Sequence, residues 1–246
     1  MAVITFKEGS RGAVVKQIQK VVGCYPDGIW GKNTTECVKA WQKAHGLTAD
    51  GIAGPRTLAA MGIQAVTPAA APSTPIKAVY AGCPITLRRS KRRIDEIIIH
   101  CTATPEGSPR TVEQIRAQHK AQGWSDIGYQ YVVYLDGTVH EGRNVDIAGA
   151  HCVNHNAHSI GIVYVGGLEN RPDGPYSRLR AKDTRTPAQK ASLLGLLMDL
   201  RQLYPNAEIK GHRDCSPDKN HNGTVEQSEW VKACPSFDAK AEYRRV

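Results

Sequence analysis

Residues 67–76, with the sequence TPAAAPSTPI, divide this chain of 246 residues into a short N-terminal part and a longer C-terminal part. A segment made almost entirely of Pro, Ala, Ser and Thr cannot bury a core and is typical of a linker. We therefore predict two domains, over residues 1–63 and 83–246, with a linker over residues 64–82. A hydrophobic fraction of 41% is ordinary for folded domains.

The N-terminal part contains an internal repeat with the pattern D-G-x-x-G-x-x-T, which begins at Asp27 and again at Asp50. Its glycines suit tight turns, and its threonines stand where helices can begin. A third and looser copy, EGSRGAVVKQIQKVV, has apolar residues at helical spacing. The repeat therefore predicts three short helices joined by Gly-rich loops. Trp41 is assigned to the core, whereas Trp30 has two open interpretations, a core residue or a sugar platform.

Over residues 4–62, this part resembles the peptidoglycan-binding type 1 module of cell-wall hydrolases. The resemblance is carried by the Gly-rich turns and one helical pair, which are Gly9–Gly12, Asp27–Gly31, Trp41–Gln42, Gly46–Leu47 and Asp50–Pro55. It implies a small all-α domain that has no catalytic role and binds bacterial peptidoglycan.

Two segments of the C-terminal part end in a histidine. The apolar run Ile97–Ile99 predicts a buried strand that delivers His100 at its end, and EIKGHRD predicts a short strand that ends at His212. Together with the later Cys234, these histidines could form a tetrahedral zinc site with its fourth position open to water. Nine histidines allow many such triples, so the residue types alone do not select this one.

The segments between these histidines mix helices and strands. Thr111 and Gln114 have the spacing of a capping box, Asp136 begins an Asp-Gly hairpin turn, and Pro187 stands in the first turn of a long amphipathic helix. The predicted fold class is therefore α/β, with a mixed β-sheet flanked by helices, preceded by a small all-α domain of three helices.

Six segments occur in a characteristic order after residue 94, which are IIIHCTAT, GWSDIGYQYVV, DGTVHEGR, GAHCVNHNAHSIGI, TPAQKASL and KACPSFD. In this order they resemble the zinc-dependent N-acetylmuramoyl-L-alanine amidases of the phage-lysozyme and peptidoglycan-recognition-protein superfamily. Together with the N-terminal module, the whole chain resembles a modular phage endolysin. The resemblance implies a bacteriolytic hydrolase that cuts the amide bond between N-acetylmuramic acid and L-alanine.

The resemblance also implies a role for individual residues. It assigns zinc to His100, His212 and Cys234, and catalysis to Tyr129 and Lys232. Zinc would lower the pKa of water and polarise the amide carbonyl, while the lysine would stabilise the oxyanion. Substrate contacts are expected at three further positions, which are Trp124, His151 and Asn156.

Some positions depart from the family pattern or receive no catalytic role. Val163 stands where some relatives carry a candidate base, glutamate, and Gln130 stands where close relatives often have histidine. We interpret Cys101 as a packing residue. Structural or surface roles are assigned to four further histidines of this part, which are His119, His140, His155 and His158.

A polar loop between His212 and Cys234 matches the calcium-loop pattern D-x-[DN]-x-[DN]-G-x5-E. The predicted ligand positions are Asp218, Asn220, Asn222, Thr224 and Glu229. Because no helix is predicted before the loop, a second interpretation stays open, namely a polar insert shaped by Asn-Gly turns. A bound calcium ion would brace the segment that carries Cys234.

Charge and cysteine content limit the partners and the compartment. The net charge of +9 favours polyanions, including anionic envelope polymers, although solubility explains the charge equally well. No nucleic-acid motif and no membrane span is present, and we expect a monomer.

The start MAVITFKEGSRG lacks the apolar core of a signal peptide. We therefore expect synthesis in a host cytoplasm, mostly reduced thiols, and action on the wall after release.

Three other functions compete with the amidase. In one, the basic surface binds nucleic acid or another protein as a regulatory side role, which no aromatic-basic motif supports. A peptidoglycan receptor would share the fold without turnover, but binding-only relatives typically lose a metal ligand. A different zinc peptidase would cut between amino acids of the stem peptide, which the KACPSFD segment argues against. The preferred stem peptide and the role of the basic run over residues 88–93 do not follow from the sequence.

Overall fold

The computed structural model describes residues 5–10, 12–63, 74–170 and 178–246, which fall into two compact units. The N-terminal unit contains three short helices, α1 (Ala13–Val21), α2 (Lys32–Ala44) and α3 (Pro55–Ala60), as the repeat predicts. Residues 64–73 of the predicted linker, and Arg11 of the first Gly-rich turn, lie outside the described residues.

Two buried glutamines explain why the D-G-x-x-G-x-x-T pattern repeats. The Gln19 side-chain amide donates to Asp27 Oδ1 at 2.7 Å and to Thr34 Oγ1 at 3.0 Å, and its Oε1 accepts from the Gly28 N–H. Gln42 makes the same bonds one repeat later, to the Asp, Gly and Thr that begin at Asp50. Each turn is therefore organised around a polar side chain whose hydrogen bonds are satisfied inside the core.

Trp30 is a core residue, because only 1% of its surface is exposed and its indole N–H donates to Thr35 Oγ1 at 3.0 Å. The prediction of reduced thiols is wrong for one pair. Cys24, which follows α1, forms a disulfide with Cys37 in α2, where the two Cα atoms lie 6.3 Å apart. Packing of the two helices brings together cysteines that are thirteen positions apart.

We expect Gln19→Leu to destabilise the N-terminal unit by about 2–3 kcal/mol, because it leaves buried polar partners without hydrogen bonds. The matched control is Gln17→Leu, at an exposed position of the same helix, which should change stability by less than about 0.5 kcal/mol. Hydrogen exchange of the backbone amides of residues 12–63 would report the difference. Equal protection in both variants would contradict the structural role of Gln19.

The C-terminal unit is built on a five-stranded mixed sheet in the described residues, with strand order β6-β5-β7-β3-β9. Its members are β3 (Glu96–Cys101), β5 (Tyr131–Val133), β6 (Val139–Glu141), β7 (Ser159–Tyr164) and β9 (Glu208–Gly211). β3 runs parallel to both β7 and β9, and β5 runs parallel to β7. In this sheet only β6 is antiparallel to its neighbour, β5, to which it is joined by the predicted Asp-Gly hairpin. The predicted fold class is therefore confirmed.

Helices cover both faces of this sheet, as the alternation of its side chains requires. Ile97, Ile99 and Ile162 share one core with five leucines of α5 (Pro187–Leu203). Val132 and Val163 face the opposite way and pack with Val112 and Ile115 of α4 (Val112–Ala121). Both helices begin with the predicted capping chemistry, Thr111 for α4 and Pro187 for α5. A short helix, α6 (Ala239–Glu242), follows near the C-terminus.

Two small pairs of strands complete the unit. β1 (Ile76–Tyr80) pairs with β2 (Cys83–Leu87), and β4 (Thr104–Pro105) pairs with β8 (Gly167–Leu168). β1 lies within residues 64–82, which the sequence predicts to be a linker. Its last residue, Tyr80, is buried in the core that contains α5. The domain boundaries stay predictions, although strand structure begins earlier than the sequence indicates.

The basic run over residues 88–93 is not simply solvated. Arg88 contacts Asp146 Oδ2 at 2.7 Å. The Arg92 guanidinium donates to four backbone carbonyls, at Val145, Asn156, Ala157 and Ser159. Arg92 therefore ties the start of β7 to the preceding turn. No helix of the described residues is long and apolar enough to cross a membrane.

Candidate metal and catalytic site

The register of two parallel strands places the two predicted zinc histidines side by side. β3 pairs with β9 so that Ile99 lies opposite Gly211, and the residues that follow this pair are His100, in β3, and His212, just after β9. Parallel strands end at the same edge of a sheet. The two imidazole rings consequently lie with their centroids 4.7 Å apart.

Cys234 reaches the same edge from the polar segment near the C-terminus. Its Sγ lies 3.8 Å from His100 Nδ1 and accepts a hydrogen bond from the Cys101 backbone N–H at 3.3 Å. The Cys234 carbonyl accepts from the Arg213 N–H at 2.7 Å, which fixes this segment to the residue after His212. The ligand atoms of His100, His212 and Cys234 all lie within 4.8 Å of one another.

A chain of hydrogen bonds behind His100 fixes which ring nitrogen faces Cys234. His100 Nε2 lies 3.0 Å from His151 Nδ1, His151 Nε2 lies 3.3 Å from Ser159 Oγ, and the Ser159 hydroxyl donates to the His155 carbonyl at 2.8 Å. Each contact in this chain needs one donor and one acceptor, which puts the ring proton on Nε2 in both His100 and His151. His100 Nδ1 then carries the lone pair that faces Cys234, as a metal ligand requires.

Two glycines make room for His151. A Cβ atom at Gly161, in the middle of β7, would lie 2.5 Å from His151 Cδ2, and Gly149 is equally close to the ring. Burial, assisted by His212 and Arg92, lowers the pKa of His151 to about 3. His151 is therefore neutral and can accept from His100. This position behind His100 was not expected, since the sequence predicts a substrate contact here.

We expect His151→Ala to weaken zinc binding by about 10- to 100-fold, because outer hydrogen-bond partners orient metal ligands. Ser159→Ala, which removes one oxygen from the same chain, should have a smaller effect in the same direction. Competition with a chromogenic zinc chelator measures this affinity, and His45→Ala, an exposed residue of the N-terminal unit, is the control. Unchanged zinc affinity with lost hydrolysis would instead support the predicted substrate role of His151.

The predicted catalytic residues lie near the three ligands. The Tyr129 ring centroid is 5.1 Å from that of His100. Burial, with Cys234 and Cys101 nearby, raises the pKa of the Tyr129 hydroxyl above its ordinary value. Lys232 is exposed and lines a cavity of about 480 Å³ together with His212. Tyr129 is thus a neutral hydrogen-bonding group, and Lys232 is a positive charge on the cavity wall.

The same cavity accounts for the other predicted substrate residues. Trp124, 38% exposed, and His151 both line it. Asn156 also lines the cavity, but its Oδ1 accepts from the backbone N–H groups of His151 and Cys152 and so shapes the turn. Direct substrate contact by these three residues stays a prediction.

Sequence reasoning missed two apolar side chains on the cavity wall. Val153 is 80% exposed and Val231 is 71% exposed, although both are aliphatic. Neither belongs to a periodic pattern, so only their exposure beside the cavity reveals them. They are candidates for apolar contact with a ligand.

The two departures from the family pattern have structural explanations. Gln130 is buried, and its Oε1 accepts from the Gly161 N–H at 2.7 Å while its amide donates to the Ile147 carbonyl. Val163 is fully buried beneath α4. Gln130 therefore positions β7, and Val163 packs in the core.

The polar loop is organised by Glu229 at the last position of the calcium pattern. Its carboxylate accepts from the backbone N–H groups of Lys219, Asn220 and Glu226, at 2.7, 3.1 and 3.0 Å. One buried side chain thus holds both ends of the loop together. These contacts fit the interpretation as a polar insert and give calcium no support.

The residues at the edge of β3 and β9 fit a zinc ion. Nitrogen and sulfur donors in a set of three are typical of zinc sites that keep one open position. Burial, followed by the charges of His151, His212 and Lys232, lowers the pKa of His100 well below its usual range. His100 is therefore a neutral ligand. The neighbouring Cys101 thiol and burial raise the pKa of Cys234, so Cys234 would lose its proton on binding the ion.

Comparison with known proteins identifies the families of the two parts of the chain. Residues 90–235 match the family model described as N-acetylmuramoyl-L-alanine amidase, and residues 11–61 match that of a peptidoglycan binding domain. The endolysin of Escherichia phage T7 is 36% identical over 152 residues, which are 62% of this chain and 87% of that protein. The endolysin of Enterobacteria phage K11 is 35% identical over 150 residues, or 60% of this chain and 84% of that protein.

Among solved structures, the amidase LysC from Clostridium intestinale is 27% identical with a TM-score of 0.44, over 62% of this chain and 87% of that one. The amidase model spans well over half of the chain and includes His100, Tyr129, His212, Lys232 and Cys234. The chain belongs to the N-acetylmuramoyl-L-alanine amidase family.

Proposed function

We propose that this chain hydrolyses the amide bond between N-acetylmuramic acid and L-alanine in bacterial peptidoglycan, with a zinc ion held by His100, His212 and Cys234. One observation carries the proposal. Two imidazoles and a thiol lie within 4.8 Å of one another at the edge of the sheet, and one of them, His212, lines the cavity. Family membership fixes the reaction class, and this geometry supports the metal and its ligands.

When bound, zinc lowers the pKa of water toward neutrality and polarises the carbonyl of the amide. The chain's own residues supply orientation. The raised pKa of Tyr129 keeps its hydroxyl protonated, so this residue orients the attacking water through a hydrogen bond rather than by acting as a base. The chain from His100 through His151 to Ser159 keeps the first ligand in its binding tautomer.

Lys232 acts on the charge that develops during the reaction. The attack of water on the lactyl carbonyl places negative charge on its oxygen only in the transition state. An exposed ammonium group on the cavity wall can approach that oxygen without being buried beforehand. Lys232 therefore lowers the barrier more than it strengthens substrate binding.

The N-terminal unit gives the enzyme its second contact with the polymer. Residues 11–61 match a peptidoglycan binding domain, and linking two modules raises the effective concentration of the catalytic one on its substrate. We assign residues 1–63 to this domain, 64–82 to the linker, and 83–246 to the amidase. Since the relatives of phages T7 and K11 are endolysins, we assign an enzyme that lyses the wall after release from a host cytoplasm. A monomer is proposed as well.

Product analysis in water labelled with heavy oxygen tests the scissile bond. Hydrolysis of the proposed amide adds one labelled oxygen to the lactyl carboxylate of muramic acid and frees peptides with an unlabelled L-alanine amino end. Purified peptidoglycan is incubated with the full chain, and the soluble products are sequenced by mass spectrometry. Label in a carboxylate within the stem peptide would show a peptidase, and polymer binding without products would show a receptor.

A further inference from the structure

A second group of metal-binding side chains lies outside the set of His100, His212 and Cys234. The ligand atoms of Cys152, His155 and Cys215 all lie within 4.8 Å of one another. Neither cysteine belongs to a disulfide, and Cys152 is only 4% exposed. Two thiols and one imidazole are donors that soft divalent cations prefer over magnesium or calcium.

A carboxylate orients the histidine of this group. His155 Nδ1 lies 2.7 Å from Glu96 Oε2, and the other oxygen of Glu96 lies 2.7 Å from Lys210 Nζ. A carboxylate oxygen at this distance accepts the Nδ1 proton, which leaves the lone pair on Nε2. A carboxylate, a histidine and a metal in series are common in protein zinc sites.

The backbone holds the two cysteines in place from separate segments. Cys152 N–H donates to Asn156 Oδ1 at 2.9 Å within the turn before β7. Cys215 ends the short helical segment His212–Cys215, and its Sγ lies 3.9 Å from the Gly211 carbonyl. Both cysteines line the cavity of about 480 Å³. A cation bound here would therefore have an open position toward the cavity.

We propose that Cys152, His155 and Cys215 form a second site for a soft divalent cation such as Zn²⁺, next to the site at His100, His212 and Cys234 but with different ligands. The bound ion joins the turn before β7 to the segment that begins with His212. Because it lies on the cavity wall, it also presents a positive charge to the space that receives the substrate.

Metal stoichiometry tests this proposal without relying on activity. The full chain is reduced, freed of metal with a chelator and reloaded with Zn²⁺. Its zinc content per chain is then measured by elemental mass spectrometry. We expect two equivalents for the unchanged chain and one for Cys152→Ser combined with Cys215→Ser. Cys234→Ser should also retain one, and the control Cys83→Ser, at a thiol outside both groups, should retain two.

Loading with Co²⁺ gives a second readout, because cobalt–thiolate absorption grows with the number of thiolate ligands. Two of the three expected thiolates belong to the second site, so the double variant should lose about two-thirds of this absorption. His155→Ala, which leaves both thiols in place, should lose one equivalent of metal. It keeps the test decisive if the double variant does not fold.

Three results would overturn the second site. Two equivalents of metal retained in both the double variant and His155→Ala would place the extra ion elsewhere. A single equivalent in the unchanged chain that only Cys234→Ser removes would leave one site, at His100. A thiol count that falls by two on isolation, with a disulfide mapped between Cys152 and Cys215, would show a redox pair instead. None of these results affects the zinc proposed at His100, His212 and Cys234.

Discussion

Cys234→Ser should abolish most hydrolysis of peptidoglycan, with kcat at least about 1000-fold lower. The substitution removes the only sulfur donor of the proposed catalytic site, whose Sγ lies 3.8 Å from His100 Nδ1. A catalytic metal supplies several kcal/mol of transition-state stabilisation, and each ~1.4 kcal/mol corresponds to a factor of ten in rate. The measurement is the initial rate of release of soluble peptides, with the zinc content determined on the same sample.

Cys83→Ser is the matched control for this prediction. Cys83 stands in β2 and belongs to none of the metal-binding groups of the described residues, so its replacement should leave the rate and the zinc content unchanged. Circular dichroism would show that both variants are folded. A Cys234→Ser protein that has lost its zinc but hydrolyses the polymer at the original rate would rule out the metal mechanism.

Lys232→Met should lower kcat by about 100- to 1000-fold, the usual effect of removing one group that stabilises an oxyanion. Because the charge forms only in the transition state, we expect little change in KM and none in zinc content. Lys232→Arg, which keeps a positive charge on the cavity wall, should restore part of the rate. Steady-state kinetics on a soluble muramoyl-peptide fragment would separate kcat from KM.

Lys120→Met provides the control for the loss of a surface charge, since Lys120 is exposed at the end of α4. It should leave kcat unchanged. If Lys232→Met instead raised KM and left kcat intact, Lys232 would be a substrate-binding residue rather than an oxyanion stabiliser.

The sequence predicts the parts of the fold that depend on periodicity and local chemistry. The apolar run before His100, the capping box at Thr111 and the Gly-rich repeat all have the expected structures. β1 was missed because its short alternation follows a Pro- and Ala-rich segment and gains its burial from α5. The burial of Gln19 is not evident from the sequence, because glutamine is polar. Its side-chain hydrogen bonds form only with a turn that begins eight residues later, at Asp27.

Some residues of the candidate site can be predicted from local sequence patterns, whereas others depend on contacts between distant parts of the chain. Strand ends predict His100 and His212, and the parallel register then brings them together. Cys234 follows only from the resemblance to a family, because it reaches the site through an irregular segment. The bond between His100 and His151 joins residues 51 positions apart, and the grouping of Cys152 with Cys215 is equally non-local. Such contacts exist only once the sheet has formed.

The most direct test of the proposed zinc mechanism is the rate at which metal-free protein releases peptides from purified peptidoglycan as Zn²⁺ is restored. We expect chelation to stop the release of peptides that begin with L-alanine. Added zinc should restore the rate in the unchanged chain but not in Cys234→Ser. A rate that is indifferent to chelation, or zinc-restored products cut within the stem peptide, would contradict it.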